Sequence, residues 1–176
     1  SNKKQIKNPD DIIYKIKNYI NKYAINPKNL SFEMTESAFY HDSVAINKIV
    51  EELHSIGCQV DIDDYGTGMS GLQTLSNINF DTIKLDRSFI VDLKNIKTKK
   101  LIQSTIDMVS SLGVGLIIEG VETKEQVDFL LASHCYYAQG YYFCKPITKA
   151  EYEMLLLKQK NAGHTHDRNG KELTDR

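Results

Sequence analysis

Apolar residues recur along this sequence with two periods that alternate from one segment to the next. Spacings of three and four residues predict helices at residues 10–23, 45–56, 88–93, 99–112, 123–131 and 150–157, with a short helical segment around Leu72 and Leu75. Alternating or continuously apolar runs predict strands between them, at residues 30–34, 58–62, 80–86, 114–118 and 136–138. Strands that alternate with helices indicate β-α units built around a parallel sheet.

Polar side chains lie at the carboxyl ends of the five predicted strands, and they are Glu33, Asp63, Asp64, Lys84, Glu119 and Gln139. An open, doubly wound sheet fits the same alternation, but it would spread these strand ends along a crevice. In a (β/α)8 barrel they converge on one face, where active sites lie. We therefore predict an α/β fold of the TIM-barrel type. Because a full barrel takes about 250 residues, we expect an incomplete one that lacks the first strands.

The composition limits the classes of partner and environment. Lys and Arg number 22 against 23 Asp and Glu, so no overall field draws the chain to a nucleic acid polymer or a membrane. The three cysteines, Cys58, Cys135 and Cys144, lie in or beside apolar runs, and we interpret them as reduced core thiols of a cytoplasmic protein. We expect one domain over residues 1–157, followed by a polar, disordered tail over residues 158–176.

Asp63 and Asp64 are adjacent carboxylates at the end of a predicted strand, and a turn with two glycines follows them. Such a pair is repulsive unless a cation or a proton intervenes, and oxygen ligands suit Mg2+ or Mn2+. Together with the carboxylates, lysine and amide of the other strand ends, they predict a site for metal-assisted hydrolysis of a phosphoester. The ordinary alternative is an Asp-Asp turn that only caps a loop.

Ordinary interpretations exist for the other candidates as well. Lys84 could form a simple ion pair with Asp86 or Asp64, Glu119 could cap the next helix, and Glu36 could be a turn carboxylate. Tyrosines cluster near the last predicted strand and could stack on a base, although core and rim positions are more common for a tyrosine-rich strand; they are Tyr136, Tyr137, Tyr141 and Tyr142.

Five segments, in order, resemble the successive motifs of the bacterial EAL domain: Phe32 to Ser37, Asp63 to Gly68, Ile83 to Phe89, Glu119 to Thr123 and Gln139 to Tyr141. The resemblance extends over about residues 8–157. It implies a (β/α)8-type barrel that hydrolyses the signalling dinucleotide cyclic di-GMP to the linear dinucleotide pGpG. It also implies two Mg2+ or Mn2+ ions as cofactors.

Carried over position by position, the resemblance implies a role for each residue of the site. The carboxylates that resemble the family's metal ligands are Glu33, Asp63, Asp64 and Glu119. Lys84 resembles the lysine near the catalytic water, so the implied catalytic residues are Lys84, Glu119 and Asp63. Glu36 resembles the glutamate that stabilises the glycine loop. Gln139 and Glu122 resemble residues close to the substrate.

The sequence also departs from the family pattern. The Glu-Ala-Leu segment that names the family, whose glutamate is a metal ligand there, is nowhere in this sequence, and Asn2 is not assigned to the family's asparagine ligand. The loop contains Met69-Ser70-Gly71 where an aromatic residue and two serines are usual. The sequence thus resembles the C-terminal two thirds of the domain, and we expect little activity from the chain as given.

Two classes of function therefore stay open. One is a phosphodiesterase domain, and the other is a non-catalytic module that binds cyclic di-GMP or another protein. We expect the chain to form homo-oligomers through its open side or the helices beside the loop of residues 64–71. In the parent protein we expect a regulatory or cyclase domain, with any membrane anchor lying outside this sequence.

Overall fold

The computed structural model describes residues 9–38, 43–66, 78–161, 165–166 and 172–173. The α-helices in these ranges are α1 (Pro9–Tyr23), α2 (Ser43–Ile56), α3 (Ile96–Leu112), α4 (Lys124–Ala132) and α5 (Lys149–Asn161). The strands are β1 (Ser31–Thr35), β2 (Gln59–Tyr65), β3 (Thr82–Leu85), β4 (Gly115–Ile118), β5 (Thr165–His166) and β6 (Glu172–Leu173). The predicted helical segment around Leu72 and Leu75 lies outside the described residues.

The main sheet is parallel throughout, with the strand order β1-β2-β3-β4. A parallel bridge between Ile118 and Ala138 continues the sheet beyond β4. Each strand therefore lies beside its neighbour in the sequence, and the order does not reverse as it does in a doubly wound sheet. Strands that follow one another in a single direction, with helices between them, form the wall of a partial TIM barrel.

One face of the sheet packs against the helices and forms the core. Apolar side chains on this face alternate along the strands and are at most 1% exposed; they are Val60, Ile62, Ile83, Leu85 and Ile118. Helices α2 and α3 cover them with buried side chains at helical spacing, namely Ile46, Ile49, Val50 and Leu53 from α2 and Ile102, Ile106 and Val109 from α3. Because side chains of a strand alternate between faces, the polar residues between these core positions lie on the opposite face.

Three predicted elements differ most from the observed ones. The helix predicted at residues 88–93 is a short 3-10 turn, Arg87–Phe89, because the Asp86 carboxylate accepts the N–H of Ser88 and stabilises a tight turn. The strand predicted at residues 136–138 has only its bridge, because Gly120, whose φ is +66°, interrupts the extended backbone after β4. Beyond it, Val121 N–H donates to Gln139 O outside the regular ladder. Helix α5 is longer than predicted, and its described side chains are all exposed.

The segment after Gly140 runs over the surface. Cys58 and Cys135 are buried, as expected for core thiols, but Cys144 is exposed, so the core interpretation is wrong for Cys144. The four clustered tyrosines are exposed, so of the predicted core and rim positions only the core position is wrong for them. The boundary predicted after residue 157 falls within α5, and β5 pairs with β6 farther along the chain. None of the helices described is long and apolar enough to cross a membrane.

Candidate metal-binding and catalytic site

Lys84 lies at the centre of the polar face, near the carboxyl end of β3. Its Nζ is 2.8 Å from Glu33 Oε1, 2.9 Å from Asp63 Oδ1 and 2.8 Å from Glu119 Oε1. Its partners come from β1, from β2 and from the residue that follows β4, so parallel pairing brings distant parts of the sequence together. The alternative of a simple pair with Asp86 is wrong, because Asp86 caps the turn that follows β3.

The charge of Lys84 is set by two opposing effects. Burial alone would lower the pKa of Lys84, because it removes water from the ammonium group, and the side chain is only 8% exposed. Hydrogen bonds to Glu119, Glu33 and Asp63 outweigh burial and hold the pKa of Lys84 above its ordinary value of 10.5. Because the pKa of Lys84 is raised, the protonation of Lys84 contributes stability that is fully present below about pH 10.5 and is lost only as the pH rises further. Lys84 is therefore a fixed positive charge at neutral pH.

Asp63 and Asp64 are neighbours in the sequence, yet their carboxylates lie near each other. Adjacent side chains of a regular strand point to opposite faces, but β2 is irregular here. Ile62 pairs with Ile83 and Tyr65 with Leu85, so β2 holds one more residue than β3 between the two pairs. Asp64 adopts a φ of +53°, a left-handed conformation that aspartate tolerates better than most residues. This bulge turns Asp64 to the side of Asp63.

A third carboxylate completes the group. Ligand oxygens of Asp63, Asp64 and Glu119 all lie within 4.8 Å of one another. Oxygen ligands around one Mg2+ or Mn2+ ion lie about 3–4 Å apart, since each metal-oxygen bond is about 2.1 Å long. Small side-chain adjustments would therefore let these three carboxylates hold a hard divalent cation, and the residues present fit that cofactor. Glu33 stands outside this group, with its side chain 52% exposed, and is connected to it through Lys84.

Gln139 and Glu119 are joined directly. Gln139 Nε2 donates to Glu119 Oε1, the same oxygen that contacts Lys84. The backbone holds both residues at the end of the sheet, since Glu119 N–H donates to Leu85 and Gln139 N–H donates to Ile118. Gln139 thus orients the Glu119 carboxylate towards Lys84. The alternative role of Glu119 as a helix cap is wrong, because a capping box of Thr123 and Gln126 begins α4.

Two further predicted residues lie at the edge of the cluster. Glu36 is only 2% exposed, and its Oε2 accepts the N–H of Gly66 at 2.9 Å, directly after the bulge of β2. This contact attaches the start of the glycine loop to the end of β1, while the remainder of that loop, residues 67–77, lies outside the described residues. Glu122 is exposed in the turn before α4, where its N–H donates to Gln126 Oε1.

Two residues close to the site were missed by the sequence analysis. Asp61 is only 8% exposed, and its carboxylate accepts from Ser31 Oγ. Asp61 precedes Asp63 by two residues in β2, so both side chains lie on the same face of the sheet. This spacing would have indicated its position from the sequence. Phe89 is half-buried and lies against Gly66, a contact between distant segments for which the sequence carries no local signal.

Comparison with known proteins adds independent findings. The family model described as EAL domain matches residues 1–146 of this chain. Among curated proteins, the probable cyclic di-GMP phosphodiesterase PdeG of Escherichia coli (strain K12) is 32% identical over 143 residues. That match covers 81% of this chain but only 28% of PdeG. The chain thus spans less than a third of the length of this relative.

Solved structures resemble the described fold closely. The crystal structure of the EAL domain of Mycobacterium smegmatis DcpA has a TM-score of 0.80 and 34% sequence identity, and the match covers 85% of this chain and 67% of that domain. The PaMucR phosphodiesterase, solved as a complex with cyclic di-GMP, has a TM-score of 0.74 and 29% identity, with 80% of this chain and 57% of that one covered. These likenesses confirm the prediction of an α/β fold that forms part of a TIM barrel.

Proposed function

This chain belongs to the EAL domain family, and from that premise we propose that it forms the catalytic wall of a phosphodiesterase that hydrolyses cyclic di-GMP to the linear dinucleotide pGpG. The observation that carries the proposal is the group of Asp63, Asp64 and Glu119 carboxylates beside the Lys84 ammonium. All of them lie at the carboxyl ends of parallel strands, where barrel enzymes bind their substrates. The names of PdeG and PaMucR support the choice of cyclic di-GMP as substrate.

The proposed cofactor is a pair of Mg2+ or Mn2+ ions. Asp63, Asp64 and Glu119 are the proposed ligands closest to one another, and Glu33 is the proposed fourth carboxylate. When bound, such ions supply a Lewis acid and lower the pKa of a bound water. Three carboxylates around one lysine leave an excess of negative charge when they are ionised, and this excess favours the binding of cations.

The chain's own residues have separate proposed tasks. Lys84 stays protonated, so its task is to orient the attacking water or to stabilise a phosphate oxygen as a positive charge, and not to act as a base. Gln139 orients Glu119, and Glu36 stabilises the loop after Asp64 through Gly66. Gln139 and Glu122 are the residues proposed to lie near the bound dinucleotide.

The proposed partners follow from the sheet and from the relatives. Strand β1 is an edge of the described sheet, and open edges promote pairing with another chain unless they are protected. PdeG extends far beyond the matched segment, which supports the proposal of a regulatory or cyclase domain in the parent protein. The balanced charge of the chain gives no support to a nucleic acid polymer as a partner.

We expect the purified chain to form dimers or larger assemblies through the open side of its sheet. Light scattering over a series of protein concentrations measures this directly, because the average mass of a self-associating chain rises with concentration. A Ser31→Pro variant, which places a proline in the edge strand, is expected to lower the associated fraction. A mass that stays monomeric at every concentration would contradict the proposal.

Titration calorimetry with cyclic di-GMP tests the proposed function. In Mn2+ we expect binding that EDTA weakens about tenfold or more. Asp63→Asn removes one carboxylate of the group and is expected to weaken binding by a similar factor, whereas Asp128→Asn, on the exposed face of α4, removes the same charge without effect. Chromatography of the same samples measures pGpG. Binding without pGpG would support a non-catalytic module that binds cyclic di-GMP. The absence of binding would reject both the phosphodiesterase and that module, and would favour a module that binds another protein.

A further inference from the structure

Two glycines beside the carboxylate group contact the same short turn so closely that no Cβ would fit. A Cβ on Gly66 would lie 2.3 Å from Cζ and 2.4 Å from Cε2 of Phe89. A Cβ on Gly120 would lie 2.2 Å from Cβ of Arg87. Both contacts come from the 3-10 turn Arg87–Phe89, which we call the bridging turn. One turn therefore lies against both backbone segments that follow the carboxylate residues.

The bridging turn is itself fixed at both ends. At its start, the Asp86 carboxylate accepts the N–H of Ser88 at 2.9 Å, and Phe89 N–H donates to Asp86 O at 3.1 Å. At its end, Ile90 is fully buried, and its carbonyl oxygen accepts from Gln126 Nε2 of α4 at 3.0 Å. The turn is thus attached to the core and to α4, and it has little freedom to follow movements of the loops.

Very short lengths of backbone connect these two glycines to the carboxylate residues. Gly66 follows Asp64 by two residues, and Gly120 follows Glu119 directly. On its other side, Gly66 donates its N–H to Glu36, so the start of the loop is held between Glu36 and the ring of Phe89. A shift of Phe89 would therefore move Asp64 relative to Glu119, whose ligand oxygens lie within 4.8 Å of each other.

We propose that the bridging turn is a positioning element that sets the separation between the Asp63–Asp64 pair and Glu119. Phe89 determines where Gly66 lies, and Arg87 determines where Gly120 lies. Neither side chain touches the substrate or the cation in this role. The proposal rests on the proposed cation site, and its effect is on cation affinity.

Phe89→Leu tests the role, because it removes the ring atoms that contact Gly66. We expect it to lower the Mn2+ affinity measured by calorimetry about tenfold. We also expect hydrogen exchange at the Gly66 amide, measured by NMR, to rise about tenfold as the contact with Glu36 loosens. Phe129→Leu is the matched control, since Phe129 is also half-buried but lies on α4. It should lower the melting temperature similarly and change neither of the other readouts.

A second variant keeps the test decisive if Phe89→Leu does not fold. Phe89→Tyr retains the ring and adds an oxygen at Cζ, the atom closest to Gly66, so it should displace the loop and lower the Mn2+ affinity. The proposal would be overturned if both Phe89 variants kept their Mn2+ affinity and their Gly66 exchange rate within about twofold of the unmodified protein. It would also be overturned if Phe129→Leu changed these two quantities by the same amount. If the unmodified protein bound no Mn2+, the proposed function would fail, and Gly66 exchange alone would decide the positioning role.

Discussion

Replacing Lys84 with methionine is expected to destabilise the protein by about 3 kcal/mol in the absence of divalent cations. The substitution leaves the carboxylates of Glu33, Asp63 and Glu119 without their shared positive charge. Removing one member of a buried ion cluster is costly because the remaining charges stay desolvated and repel one another. The half-exposed Glu33 can turn towards water, so we expect the cost to lie at the lower end of the range for buried pairs.

Mn2+ is expected to restore most of the stability of Lys84→Met, because a divalent cation can replace the lost positive charge among the same carboxylates. The variant should also bind Mn2+ more tightly than the unmodified protein, since the ammonium no longer competes for the oxygens. Urea denaturation with and without Mn2+ measures the first effect, and calorimetry measures the second.

Lys124→Met is the matched control for this prediction. Lys124 also forms an ion pair, with Asp128 at 2.6 Å, but its side chain is 73% exposed. Exposed pairs contribute about 1 kcal/mol or less, and Mn2+ should not change the stability of this variant relative to the unmodified protein. If Lys84→Met were as stable as Lys124→Met without Mn2+, the central place of Lys84 in the cluster would be refuted.

The strands of the sheet could be predicted from the sequence because their signal is local. The predicted strand at residues 30–34 corresponds to β1, and that at residues 114–118 corresponds to β4, each within a residue. In a sheet covered by helices, every strand must present apolar side chains to the core, so each strand segment carries its own apolar pattern in the sequence. The parallel direction of the strands followed from the alternation with helices, which requires crossover connections. Their order followed from the barrel, which was chosen because the polar strand ends converge on one face there.

The bridging turn could not be predicted in the same way. Phe89, Ile90 and Leu93 have the spacing of a helix, and the prediction of a helix there was wrong. The side chains of Asp86 and Asn95 instead accept backbone N–H groups two residues ahead, at Ser88 and Lys97, and divide the segment. Its position depends on Gly66 and Gly120, which come from other parts of the chain.

In the candidate site, too, some features have a local signal in the sequence and others depend on distant segments. Strand ends indicated which polar residues meet, and the structure joins Glu33, Asp63, Lys84, Glu119 and Gln139 in one connected cluster. The strand ends did not indicate which of these side chains contact one another, because the partners depend on the register between strands. The bulge at Asp64, which brings two adjacent carboxylates together, arises from the pairing of β2 with β3. The spacing of Asp61 places it on the polar face, but its burial could not be predicted because burial depends on how that face packs.

Glu119→Gln is expected to lower the affinity for Mn2+ about 100-fold, because it removes one charge from the three-carboxylate group. The amide oxygen can keep both hydrogen bonds of Oε1, from Lys84 and from Gln139, so the shape of the site should be preserved. The amide nitrogen takes the place of Oε2 and cannot ligate a cation. Melting temperatures in EDTA should therefore stay close to those of the unmodified protein.

Calorimetry with Mn2+ on Glu119→Gln and on Glu125→Gln distinguishes loss of a ligand from loss of charge in general. Glu125 lies exposed in the first turn of α4 and carries the same charge only six residues farther along the chain. At a surface position, screening by salt limits its effect on a distant cation, so its variant should bind Mn2+ within about twofold of the unmodified protein. Equal affinities in the two variants would mean that Glu119 is not a ligand. The excess negative charge of the cluster would then attract the cation without a direct bond from this carboxylate.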